Sequence, residues 1–261
     1  MTAAAYGDAL APYYDRMYDP DGRDGRDAAA FVASLLPPNG SVLELGVGTG
    51  RIARPLAAAG AAVTGVDASP AMLAALAARD PDGAVRAVHG DMTDYADDRT
   101  YDLVLVACST LFMLPDAESQ RACLAAARRR LAPHGRLVLE VYSPLPLVRG
   151  PAELVQVRHL APDQVMVDTV RCDAHTQRLV EIHVLFGTGT PLTVLETSRF
   201  AWPAELDRMA ELAGLSLSVR LGGWCGEQFQ ATSQRHVSVY SVARPGNYSG
   251  ISGTRSEIPA D

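Results

Sequence analysis

The sequence predicts an α/β chain: a mostly parallel sheet flanked by helices and interrupted once by an antiparallel β insertion. Three observations predict it. From Ser41 to Tyr142 short β-branched runs alternate with Ala/Leu-rich stretches, the pattern of repeated strand–helix–strand units. Between Glu153 and Phe200 strands follow one another without helices. The stretch Val42–Gly50, VLELGVGTG, ends a buried strand on three glycines at alternate positions.

The N-terminal stretch MTAAAYGDALAPYYDRMY has no basic region followed by an apolar one, and no later run approaches the roughly 18 apolar residues of a membrane span. Secretion and membrane insertion are disfavoured, and a cytoplasmic protein is expected. Strands are expected at 41–45, 61–66, 84–88, 101–107 and 135–142, with helices near 49–59, 70–79 and 117–131. Within 153–200 the stretches APDQ, DAHTQ and GTGTP read as the connections of an antiparallel meander. Trp202-Pro203 opens a helix that Gly214 closes, and LSLSVRL and HVSVYSVA add two strands, making seven for the main sheet. Residues 245–261, PGNYSGISGTRSEIPAD, read as a disordered tail.

At 261 residues and 48% hydrophobic the chain can bury a sizeable core. Its net charge is −7, with every one of the 23 basic residues an Arg, a poor match for sequence-independent phosphate binding. A small molecule or short peptide is the expected partner, not nucleic acid. Cys108, Cys123, Cys172 and Cys225 lie far apart without metal-ligand spacing, so reduced thiols and no zinc site are expected.

Glycines 46, 48 and 50 between a strand and a helix let the backbone pass close to a nucleotide cofactor. A dinucleotide fingerprint needs its third glycine at position 51, which is Arg51, and Glu44 would repel a pyrophosphate. S-adenosylmethionine carries an ammonium and a sulfonium and no phosphate. ELGVGTG resembles motif I of the class I S-adenosylmethionine-dependent methyltransferases, and further family motifs follow in order: VTGVDAS, HGDM and LAPHGRLVLEV, the last departing at His134 where a second glycine is usual. The resemblance covers roughly residues 40 to 142. It implies a Rossmann-like seven-stranded core over 37–152 and 201–244, with the 153–200 insertion as a substrate cover. It also implies a cofactor site of Glu44, Gly46, Gly48, Gly50, Asp67, Ala68, Met72, Asp91, Met92 and Cys108, with Asp67 accepting from the ribose hydroxyls and Asp91 from the adenine amine.

After the fourth strand, LVACSTLFML lacks the Asn/Asp-Pro-Pro-Tyr/Phe of nucleic-acid amino-methyltransferases and the acidic cluster of metal-dependent ones, so no metal is expected. The N-terminal YGDALAPYYDRMY resembles the lid of N-methyltransferases acting on nucleotide-linked aminosugars or on the α-amine of modified peptides, as in natural-product biosynthesis. That resemblance implies lid helices over residues 1–36, Tyr6 orienting an amine, Tyr14 closing over the sulfonium and Tyr18 meeting the acceptor.

In RLVEIHVLF, alternation sends Val180, Ile182, Val184 and Phe186 to a core-facing side and Glu181 and His183 to solvent or a substrate cleft, where His183 would accept the amine's proton. Arg158 and Arg199 in the insertion, and Trp224 in the Gly-rich LGGWCGEQF, are further expected substrate contacts. Three alternatives stay open at this point: an O-methyltransferase on a hydroxylated metabolite, a nicotinamide oxidoreductase, and a cofactor-binding module without catalysis. A monomer or a homodimer is expected.

Overall fold

The computed structural model describes residues 2–187 and 189–243, so the tail expected at 245–261 lies outside the described residues. Three N-terminal helices, α1 (Ala3–Leu10), α2 (Tyr14–Tyr18) and α3 (Arg23–Ser34), precede the first sheet. There β1 (Ser41–Leu45), α4 (Ala53–Ala58), β2 (Ala62–Asp67), α5 (Pro70–Arg79), β3 (Val85–His89), β4 (Tyr101–Val106), α6 (Ala117–Arg130) and β5 (Leu131–Tyr142) follow in order. After the short α7 (Pro144–Arg149) a second sheet contains β6 (Glu153–Ala161), β7 (Gln164–Asp173), β8 (Arg178–Phe186) and β9 (Leu192–Arg199). The chain then returns to the first sheet through α8 (Pro203–Leu212), β10 (Leu215–Leu221) and β11 (Arg235–Val242).

The first sheet has seven strands in the order β10-β11-β5-β4-β1-β2-β3; only β11 runs antiparallel to its neighbours β5 and β10. Strands β1 and β4 are almost wholly buried, as parallel strands covered on both faces must be. One face packs Leu43, Val104, Phe112 and Leu139 against α6 and α8. The other packs Val42, Leu103 and Val138 against α3 and α4. The helices start where their caps dictate: Ser69 accepts from the Met72 N–H with Pro70 in the first turn of α5, and Asp116 accepts from Ser119 N–H at α6. Helix α4 begins later than expected because the positive φ angles of Gly46, Gly48 and Gly50 carry the turn onward before helical geometry is possible.

The second sheet is a four-stranded antiparallel meander, β6-β7-β8-β9. Its inner face packs Met166, Leu185 and Val194 against Tyr6, Leu10 and Met17 of α1 and α2. The facing of β8 reverses the sequence expectation. His183 and Leu185 are fully buried, whereas Ile182 and Phe186 of the supposed core side are 37% and 44% exposed. The same inner face also holds a charged cluster around His183, Asp168 and Glu196. No helix among the described residues is long and apolar enough to cross a membrane.

Candidate active site

Strand order reverses between β1 and β4, and crevices in such sheets open beyond the carboxyl ends of the strands at that point. A cavity of about 420 Å³ lies there, bounded by the glycine turn after β1, helices α1 and α2, and the inner face of β8 and β9.

The turn is held from behind. Gly46 and Val47 N–H groups donate to Val66 O at 2.8 and 3.0 Å, and Gly48 N–H donates to Asp67 Oδ2 at 2.8 Å. A Cβ on Gly46 would stand 2.4 Å from Thr110 Cγ2 and one on Gly50 2.3 Å from Leu76 Cδ1. On Gly48 it would meet nothing nearer than Met72 Sδ at 4.0 Å. Gly48 therefore leaves a cradle open to the cavity. Gly50, expected at the cofactor, is off the cavity wall and serves helix–sheet packing instead.

Asp67 lies beside that cradle, its Oδ1 accepting from Ser69 N–H at 2.8 Å, and burial pushes its carboxyl up. Each of its oxygens keeps a lone pair for a further donor. Ala68, Met72, Met92 and Asp91 continue the wall, with Asp91 Oδ1 closing a local turn on Thr93 N–H at 2.8 Å. Glu44 departs from expectation. It is buried beneath the turn, against a separate void of about 20 Å³, with Oε2 unpartnered. Burial, only partly countered by Arg51 and reinforced by Asp67, raises it to about 8, so it is a neutral acid behind the cofactor wall at neutral pH.

The opposite end carries a cation that the sequence reading passed over. Arg51, considered only as the missing third glycine, lines the cavity, pairs with Asp24 at 3.1 Å and Asp19 at 3.6 Å, and touches Cys108 Sγ. Cys108 and Ser109 both have positive φ, 53° and 57°, a strained pair held by Glu140, whose Oε2 accepts from Cys108 N–H at 2.6 Å. Carboxylate acceptors at one end, an open glycine cradle in the middle and a guanidinium at the other suit a nucleoside bearing an amino-acid tail.

Tyr6, Tyr14 and Tyr18 all line the cavity. The hydroxyls of Tyr6 and Tyr18 lie 2.8 Å apart, and the Tyr14 and Tyr18 rings meet at a tilt of 49° with centroids 4.9 Å apart. Burial holds all three phenols neutral. The helices are tied to the core: Asp15 accepts from Thr49 Oγ1 at 2.5 Å, and Asp8 from Ser69 Oγ at 2.6 Å.

The cover-side wall holds Glu181 and Glu196, direct cross-strand partners that sequence reading did not pair. Behind them His183 Nδ1 donates to Asp168 Oδ1 at 2.6 Å, and Nε2 lies 3.4 Å from Glu196 and 3.7 Å from Glu181. Burial alone would lower the His183 pKa, but its bonds to Asp168 and Glu196 and the charges of Glu196 and Glu181 raise it to about 9. A protonated imidazole accepts no proton, so His183 is not the base expected of it. Glu181, His183 and Glu196 place one ligand atom each within 4.8 Å of one another, a grouping of metal-like spacing on β8 and β9 and not in the stretch that follows β4.

Three expected substrate contacts are engaged elsewhere. Arg158 bonds Asp168 at 2.7 Å and lies over the Tyr18 ring, joining the second sheet to α2. Arg199 pairs with Glu205 at 2.5 Å and donates to Gln120. Trp224 packs on Phe31, centroids 5.7 Å apart, in the core on the far face of the first sheet; its loop composition suggested exposure, but α3 covers it.

A Methyltransferase domain model matches residues 42–135. Over 217 residues the chain is 33% identical to the cypemycin N-terminal methyltransferase of a Streptomyces species, covering 82% of this chain and 89% of that one. It is 31% identical over 141 residues to the dTDP-3-amino-3,6-dideoxy-alpha-D-glucopyranose N,N-dimethyltransferase of Streptomyces fradiae, covering 52% and 54%. Among solved structures, the CcbJ methyltransferase of Streptomyces caelestis superposes with a TM-score of 0.84 at 35% identity, covering 92% of this chain and 98% of that one. The fold, the cavity at the strand reversal and these likenesses agree: the chain belongs to the class I S-adenosylmethionine-dependent methyltransferases.

Proposed function

We propose that the protein methylates an amine of a small metabolite, an aminosugar or a short modified peptide in natural-product biosynthesis. The carrying observation is the Tyr6–Tyr18 hydroxyl pair, 2.8 Å apart and neutral, set into the same cavity as the glycine cradle. The relatives named for a peptide N-terminus and for an amino sugar support a nitrogen acceptor. When bound, S-adenosylmethionine supplies an electrophilic methyl on a sulfonium, and the acceptor nitrogen's pair forms the new bond as the carbon–sulfur pair returns to sulfur.

The chain's own residues have three tasks in this reading. Asp67 and Asp91 accept from the nucleoside, and Arg51 meets the carboxylate. Tyr14 and Tyr18 shield the transfer from water, their ring faces tolerating a cation. Tyr6 orients the acceptor nitrogen through its hydroxyl. Residues 1–36 act as the lid, residues 37–152 and 201–244 as the catalytic core and residues 153–200 as the substrate cover. The reaction uses no metal, takes no nucleic acid and runs in the cytoplasm, in a monomer or homodimer.

Incubation with methyl-labelled cofactor and a panel of matched amines and alcohols, followed by mass spectrometry, tests this reading. Label on nitrogen is expected. Label confined to oxygen would replace it with O-methylation. Stabilisation by NAD and not by S-adenosylhomocysteine in a thermal shift would remove it altogether.

A further inference from the structure

We propose that Glu181 and Glu196 form a cation subsite in which the acceptor docks as a primary aliphatic ammonium, and that Glu181 takes the proton that frees its nitrogen lone pair. This rests on the N-methylation reading and names both the chemical class of the acceptor and the base.

Sheet register makes the pairing unusual. Glu181 and Glu196 stand directly opposite each other on β8 and β9, and like charges in that relation destabilise a sheet. The neighbouring inner-face positions Met166, Leu185 and Val194 are apolar and buried, so packing alone does not call for two acids here. Both side chains reach the cavity wall that also carries Tyr6 and Tyr18.

Charge around the pair is unbalanced in one direction. From β7 comes Asp168, from β8 His183 and from β6 Arg158; α1 and α2 add Tyr6 and Tyr18, and β5 adds Tyr142. The three tyrosines are held neutral by burial. With Glu181 ionised, three carboxylates face two cations, His183 and Arg158, and one negative charge is left at the cavity wall. An ammonium completes that balance; an alcohol does not.

The chemistry then needs a base. Aliphatic amines arrive protonated at neutral pH, and a protonated nitrogen has no lone pair to donate. His183, buried and charged, is unavailable. Burial first, then the charge of Glu196, pushes the Glu181 carboxyl well above the usual carboxylate range, toward the neutral region where a base is effective. In the step, an N–H bond of the ammonium breaks, its electron pair stays on nitrogen, and the proton bonds to a Glu181 carboxylate oxygen. His183, fixed by Asp168, is a positioning residue: its second N–H orients Glu196, and its charge keeps the pair ionisable.

The full chain labelled with δ-¹³C glutamate tests this by NMR, in the presence of S-adenosylhomocysteine whose binding is verified by calorimetry. The probes are n-propylammonium chloride and n-propanol, with Glu181→Gln and Glu196→Gln assigning the two resonances. Saturable shifts of both carboxyls with the ammonium and none with the alcohol are expected, and Glu181→Gln should weaken the ammonium by at least about tenfold. His183→Gln should move the pH midpoint of Glu181 upward, which a merely structural histidine would not do. If S-adenosylhomocysteine binds but ammonium and alcohol act alike, the subsite is overturned while N-methylation stands. Tight zinc binding at the pair with no ammonium response would overturn it in favour of a metal centre. Failure to bind S-adenosylhomocysteine would remove the functional reading, and the subsite with it.

Discussion

The two walls of the cavity are built on different principles. The wall at β1 and β2 is made of backbone: a turn pinned to Val66 O, a cradle at Gly48, and one aspartate oriented by two N–H donors. The wall at β8 and β9 is made of side-chain charge: Glu181, Glu196 and His183 held by Asp168 and Arg158 across three strand pairs. The first is held by backbone hydrogen bonds, with the raised carboxyl of Glu44 buried behind it and off the cavity. The second titrates. A site that binds one invariant cofactor and one particular acceptor gains from that division, because the cradle is fixed by geometry while recognition of the acceptor is tuned by protonation.

The largest expected effect disrupts the packing behind the first wall. Gly50 has φ of +79° and Leu76 Cδ1 where a Cβ would stand 2.3 Å away. Gly50→Val combines left-handed strain with overpacking and should destabilise the fold by about 3 to 5 kcal/mol. Denaturant unfolding measures it, and S-adenosylhomocysteine affinity should fall in parallel because the turn can no longer close. A variant as stable as the parent would show that the turn adapts, and the contrast between a backbone-held and a titrating wall would lose its first term.

The next effect sharpens the second wall. His183 has a folded pKa of about 9 against an ordinary value of 6.5. A raised folded value means its contribution is fully present below about pH 6.5 and disappears as pH rises through about 9. Between those limits the parent should lose on the order of 2 kcal/mol that His183→Gln does not lose. Urea denaturation of both proteins at pH 6 and pH 9.5 checks it. Equal slopes would mean that the imidazole is neutral in the fold, and it would return as a candidate base.

The same division decides what could be read from sequence. The seven strands of the first sheet, the meander, Asp67 and the glycine turn are local: each is written within a few consecutive residues, in period, cap or turn chemistry. Helix α5 over 70–79 begins and ends as expected because Ser69 and Pro70 mark its start. The acceptor wall is not local. Pairing Glu181 with Glu196 needs the register of two strands, and the facing of β8 was misjudged because alternation tells which residues share a side, not which side is covered. Arg51 is illegible for a different reason: its place beside the cavity depends on Asp19 and Asp24, which tertiary contact brings to it from the N-terminal helices. Arg199 and Arg158 looked free only because their partners, Glu205 and Asp168, are supplied by tertiary contact.

The smallest effect concerns a residue that belongs to neither wall. Trp224 was expected to meet the acceptor because a large aromatic in a Gly-rich loop is costly when uncovered. Phe31 and the far-face core cover it, and its indole N–H is buried without an acceptor. Trp224→Phe therefore has two opposing consequences. It loses part of a buried ring, which weakens packing, and it removes an unsatisfied donor, which relieves a desolvation cost of about 1 to 3 kcal/mol. The two nearly cancel, and a net change under about 1 kcal/mol is expected, whereas Trp224→Ala, which forfeits the whole ring, should cost about 3 to 5 kcal/mol. Neither variant should alter S-adenosylhomocysteine affinity or the response of Glu181 to n-propylammonium, since Trp224 does not line the cavity. Weaker ammonium binding in Trp224→Phe, at unchanged stability, would mean that the far face of the sheet communicates with the acceptor wall, and the two-wall description would need a third element.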